Sequence, residues 1–116
     1  RTHHSDLVKE LVSFAFRSSP EPISLAMVCQ ALFTTKTTLT LSCREMFGYG
    51  PSALMRRIRL QQVHEVLCHH DLQQRLRCQT VQQVAEHFGF ASRNHFASAY
   101  RDLFGEAPRT TLLASR

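Results

Sequence analysis

Val84-Ala85-Glu86-His87-Phe88-Gly89-Phe90-Ala91-Ser92, followed by Phe96, Tyr100 and Phe104-Gly105-Glu106-Ala107-Pro108, is the stretch whose reading decides the fold. Val81, Val84, Ala85 and Phe88 recur at helical spacing behind Thr80, whose hydroxyl suits a helix start. Gly89 supplies a turn, and Ser92 caps a second helix with Phe96, Ala99, Tyr100 and Leu103 on one face. Gly105 ends that helix and Pro108 prevents its resumption. The segment is two short helices around a tight turn.

The same design occurs earlier in the chain. Phe47-Gly48-Tyr49-Gly50-Pro51 precedes Phe104-Gly105-Glu106-Ala107-Pro108 by fifty-seven residues. Leu25, Val28, Cys29 and Leu32 form a helical stripe behind Ser24. Thr38 to Cys43 alternates polar and apolar side chains, a strand-like pattern rich in poor helix formers. Leu39, Cys43, Met46 and Phe47 nevertheless fit one helical face behind Thr35, and the cleaner later copy decides for a helix over 36–47. Leu32-Phe33-Thr34 stands where the later copy has its turn glycine.

Around these copies, Leu7, Val8, Leu11, Val12 and Ala15 mark an opening helix with Ser5 as its cap. Ser18-Ser19-Pro20-Glu21-Pro22 breaks it, because two prolines cannot continue a helix. A long helix from Ser52 to about His69, some 27 Å by helical rise, links the copies and carries Arg56, Arg57 and Arg59 near its start. The polar stretch Asp71 to Gln79 reads as a loop, and a closing helix should bring Leu112 and Leu113 onto the core. The expected fold is all-α with seven helices. Its parts are a first helix-turn-helix subdomain over 1–51, a linker helix over 52–70 and a second subdomain over 71–116.

A hydrophobic fraction of 43% argues against disorder. The net charge is +5, and of the 14 basic residues all but Lys9 and Lys36 are arginine. Arginine's fork pairs bidentately with phosphate or guanine, so this skew suits a nucleic acid better than mere solubility requires. Cys29, Cys43, Cys68 and Cys78 have no CxxC spacing and read as reduced thiols of a cytosolic protein. No signal peptide or long apolar run is present. No nucleophile triad, carboxylate pair or phosphate loop stands out, so neither an enzyme nor a cofactor is expected. His64 and Cys68 share a helix face near His69, His70 and Cys78, but their spacing matches no zinc pattern, and no metal is expected.

A helix-turn-helix lays its second helix in a DNA major groove. The outward face of the first such helix holds Lys36, Thr37, Thr40, Leu41 and Arg44. That of the second holds Arg93, Asn94, Ala97, Ser98 and Arg101, with His95 beside them. Arginine can fork onto guanine and asparagine onto adenine, while threonine, leucine and alanine can meet the thymine methyl. Arg44 and Arg101 hold the same place after their caps, which suits phosphate contacts that set register. The rival reading is a helical adaptor whose basic face docks an acidic protein, without preference among duplexes.

From about Ser5 to Leu113 the chain resembles the DNA-binding domain of the AraC/XylS transcriptional regulators. The signature lies in Val84 to Ser92, Phe96, Tyr100 and Phe104 to Pro108, and Arg59-Leu60 with Val63 and Leu67 is similar to the linker-helix pattern. The resemblance implies two helix-turn-helix units gripping adjacent major grooves of double-stranded DNA. It also implies a bacterial regulator, usually an activator and sometimes a repressor, that contacts RNA polymerase, with an N-terminal effector or dimerising domain that this fragment, opening on Arg1, lacks. The family often places a base-reading arginine where this chain has Leu41 and Ser98, so the second unit, with Arg93, Asn94 and His95, is expected to discriminate more.

Overall fold

The computed structural model describes residues 3–18 and 22–116, whose regular structure is all helix, with no strand among them. The helices are α1 (His3–Ser18), α2 (Leu25–Ala31), α3 (Lys36–Phe47), α4 (Pro51–Cys68), α5 (His70–Leu76), α6 (Val81–His87), α7 (Arg93–Phe104) and α8 (Pro108–Ala114). They form two compact units, Arg1–Arg59 and Leu60–Arg116, so that α4 contributes to both.

Side-chain oxygens start the paired helices. Ser24 accepts from the Met27 amide at 3.2 Å and Thr35 from the Thr38 amide at 3.1 Å. Thr80 and Gln83 form a reciprocal capping box, and Ser92 accepts from the His95 amide. Gly48 and Gly105 close α3 and α7 at φ 82° and 77°, each donating its amide 2.9 Å to the carbonyl of Arg44 or Arg101. The threonine-rich segment is therefore helix, as the second copy indicates.

In the first unit Leu11, Ile23, Val28, Leu39, Cys43, Leu54 and Met55 form the core, and α1 packs chiefly on α3. In the second unit the core gathers Val63, Val66 and Leu67 of α4 with Val84, Phe88, Phe96, Tyr100 and Leu112.

An arginine braces each unit from beyond the second helix of the pair, within α4 in the first and just past the end of α8 in the second. Arg59 donates 3.1 Å to the Ile23 carbonyl, and Arg116 donates 2.5 Å to the Gln79 carbonyl. Both carbonyls belong to the residue just before a helix cap, Ser24 or Thr80.

Four expectations need correction. Eight helices are described rather than seven, because α5 lies within the stretch read as a loop. It forms because Leu72 and Leu76 pack on the core, and because buried Gln73 donates to the Val66 and Leu67 carbonyls that end α4. Leu113 is 54% exposed while its neighbour Leu112 is buried. Met46 and Phe47 are also exposed, since the first core stops one turn short of the end of α3; Phe47 stacks on Tyr49 instead. α1 begins at His3, so Ser5 lies inside it and not at its cap. The side chains of Ser5, Val8 and Ala15, and residues 19–21 of the proline break, fall outside the described set.

A polar chain crosses the second core. Cys68 Sγ lies 3.4 Å from His64 Nε2, and His64 Nδ1 lies 2.9 Å from the Tyr100 hydroxyl. Tyr100 donates 2.8 Å to Thr111, and Thr111 donates to the Glu106 carboxylate. This ties α4, α7 and α8 together at one buried phenol. Burial pushes the Tyr100 phenol up to about 12 from 10.0, with the charges of Cys68 and Glu106 acting the same way and the Thr111 bond opposing them. A phenol raised on folding stabilises fully below its unfolded value and loses that contribution as pH climbs from about 10 to 12. Tyr100→Phe should cost about 1 kcal/mol at pH 8 through the lost hydrogen bonds. Thermal melts should show that gap closing between pH 10 and 12.

Candidate nucleic-acid interface

On α3, Lys36, Thr37, Leu41 and Arg44 are exposed, Leu41 by 59%. Leu39, Ser42 and Cys43 occupy the buried face. The Thr40 hydroxyl donates 2.7 Å to the Lys36 carbonyl, so its methyl and the acceptor side of its oxygen are what remain to offer a partner. Phe33, in the preceding turn, has φ 53° and is 95% exposed. It takes the left-handed conformation that Gly89, at φ 89°, takes in the other turn, and without Gly89's conformational freedom.

The α7 face is arranged in the same way. Arg93, Asn94, Ser98 and Arg101 are exposed and Ala97 is half-buried, opposite Phe96 and Tyr100. His95 is exposed too, but lies about 100° beyond Asn94 around the helix, on the flank away from Arg93 and Arg101. Arg93 is not free to swing. Its Nη2 donates 2.9 Å to Gln82 Oε1, while the Gln82 amide donates 3.0 Å to Glu86. Gln82 is thus a residue of the site that sequence reasoning missed; its place at the second position of a helix beside the turn was the available signal.

Arg44 lies over Gly50, where an added Cβ would sit 3.6 Å from its Nη2, beside the first turn of α4. Arg101 lines a groove with Ala107 and Pro108 at the first turn of α8. Each second helix therefore sets one arginine beside the start of the helix that follows.

Among the described residues, Glu65 and His69 at 3.6 Å form the one carboxylate–base pair, and no arginine has a carboxylate partner. The arginine charge is therefore left uncompensated for something outside the protein. The zinc candidates are otherwise engaged: His64 contacts Tyr100 and stacks on Phe104 at 4.2 Å. Burial, then the charges of Glu65 and Glu106, push the Cys68 thiol up, away from the thiolate a metal takes. No cluster of three His, Cys, Asp or Glu that could hold a metal occurs among the described residues. No described helix is long and apolar enough to cross a membrane.

Comparison with known proteins agrees with this geometry. A family profile described as a helix-turn-helix domain matches residues 28–114. A probable AraC family transcriptional regulator from Rhodopseudomonas palustris CGA009 is 27% identical with a TM-score of 0.70, over 96% of this chain and 98% of that one. A transcriptional regulator with an AraC-type DNA-binding domain from Chromobacterium violaceum shares the fold at 23% identity and a TM-score of 0.66, over 96% and 93% of the two chains. So does the C-terminal domain of AraT, a response regulator from Geobacillus stearothermophilus, at 17% and 0.61, over 97% and 88%.

Since Thr35 and Ser92 hold the first turns on which these faces depend, Thr35→Ala should cost about 1 kcal/mol. Ser92→Ala should cost less, because its bond is the longer at 3.4 Å. Amide hydrogen exchange should show fraying confined to the first turn of α3 or α7.

Proposed function

Because this chain belongs to the AraC/XylS family of helix-turn-helix transcriptional regulators, we propose that it binds double-stranded DNA sequence-specifically, with α3 and α7 in adjacent major grooves. One observation carries the reading. Two capped helices at equivalent places present outward faces with an arginine at the same position and no carboxylate to neutralise it. In this proposal Arg93 and Asn94 read bases, the Thr40 and Leu41 methyls meet thymine methyls, and Arg44 and Arg101 hold phosphates. Lys36, Thr37, His95, Ala97 and Ser98 complete the two surfaces. The regulator works as an activator through contact with RNA polymerase, in the cytoplasm of a bacterium.

Selection from random duplexes should enrich a motif whose half-sites lie about one helical turn apart. Affinity should fall steeply with salt as arginines displace counterions. No motif, or affinity indifferent to salt, would instead favour an adaptor docking an acidic protein.

The residue roles are tested separately. Arg93→Ala should relax preference at one base position and cost about 1–3 kcal/mol, whereas Arg44→Ala should weaken all duplexes alike and reduce the salt slope by about 1. A changed motif with Arg44→Ala would reverse this assignment.

A further inference from the structure

The second unit contains a groove of about 620 Å³ between α6, α7 and α8. Its size is that of a small-molecule site. Arg93, Arg101 and Arg109 line its walls, while Phe90, Leu112 and the uncovered Leu113 supply apolar surface. The Arg101 and Arg109 side chains have no hydrogen-bond or ion-pair partner among the described residues. Arg93 is held by Gln82, and Arg116, also in the lining, by the Gln79 carbonyl. Glu86 is the one carboxylate lining the groove, and it already accepts from the Gln82 amide.

The first unit serves as an internal control. Fifty-seven positions before Arg109 and Leu113 stand Ser52 and Arg56, in the same turns of the helix after the Phe-Gly stop. A helix-turn-helix unit of this chain therefore does without the combination of basic wall and apolar lining. Nor does a phosphate backbone call for an apolar floor, since its oxygens stay hydrated or hydrogen-bonded.

We propose that this groove binds a small amphipathic anion, a carboxylate, sulfonate or phosphate carried on an apolar body, and that its occupancy excludes DNA from α7. The anionic head sits against Arg101 and Arg109, which have no other counter-charge. The apolar body covers Leu113 and the exposed edge of Phe90. The exclusion follows because Arg101 serves both ligands and Arg93, a proposed base reader, lines the same groove, and this half of the proposal rests on the DNA-binding reading above.

The probe is 8-anilinonaphthalene-1-sulfonate, set against N-phenyl-1-naphthylamine, which has the same rings without the sulfonate. Titration of the chain without DNA should give saturable one-to-one binding of the sulfonate, with amide shifts confined to α6, α7 and α8. The neutral analogue should bind at least about tenfold more weakly, as should the sulfonate to Arg109→Glu or Leu113→Glu. Both substituted residues are exposed and lie outside the proposed DNA contacts. Absent binding, equal binding of the neutral analogue, indifference to both substitutions, or equal competition by inorganic phosphate would overturn the site. With a selected duplex, saturating sulfonate should raise the apparent DNA Kd at least about tenfold; an unchanged Kd would overturn the exclusion. A chain that binds no duplex at all would sink the DNA reading, while the titration without DNA still decides the groove.

Discussion

A helix of seven residues cannot hold itself together in water, because the cost of its first turn is spread over too few later hydrogen bonds. Four of the described helices, α2, α5, α6 and α8, are that short. Their exposed backbone groups must be satisfied from outside the helix, and much of the architecture follows from that need. Ser24 and Thr80 answer at the amide ends of α2 and α6. The Gln73 amide reaches back to the carbonyl end of α4 and also to Ser115, drawing α5 and the end of the chain onto the same point. Burial of Val28 on one side, and of Val84, Ala85 and Leu112 on the other, supplies what the hydrogen bonds alone do not.

This dependence explains which parts could be read in advance. A cap is a local device: an oxygen-bearing side chain just ahead of an apolar period, visible at Ser24, Thr35, Thr80 and Ser92 without knowledge of anything distant. The α3 segment is ambiguous both by its alternation and by propensity, and the second copy resolves it. By contrast α5 draws its support from the end of α4 and from Ser115, which lies 42 positions away, so a sequence window over 70–76 shows mostly glutamine and charge. Leu113 illustrates the same limit. Leu112 and Leu113 stand about 100° apart on α8, and periodicity over seven residues does not say which of them faces the core.

The candidate interface divides in the same way. Its outward faces followed from helical spacing once the buried stripe was known. Their partners did not, because the bond between Arg93 and Gln82 joins residues on two helices whose relation depends on the turn between them. The absence of carboxylate partners for the arginines among the described residues is likewise a tertiary fact, since the chain has 9 acidic residues that could have supplied them. The second copy emerges as the more structured of the two, with its glycine turn, its held Arg93 and its polar chain through Tyr100. The first keeps the simpler, more apolar face of Thr40 and Leu41.

The arginine braces also mark the one length difference between the copies. Arg59 reaches back 36 positions to its carbonyl and Arg116 reaches back 37. The copies have therefore kept the same contact while differing by a single residue inside the span it closes. Measured from the caps, the difference falls between Ser24 and Thr35 in one copy and between Thr80 and Ser92 in the other, in the turn where Phe33 and Gly89 adopt the same left-handed backbone. One extra residue in the turn of the second copy accounts for both observations. The same brace thus closes over a turn of either length.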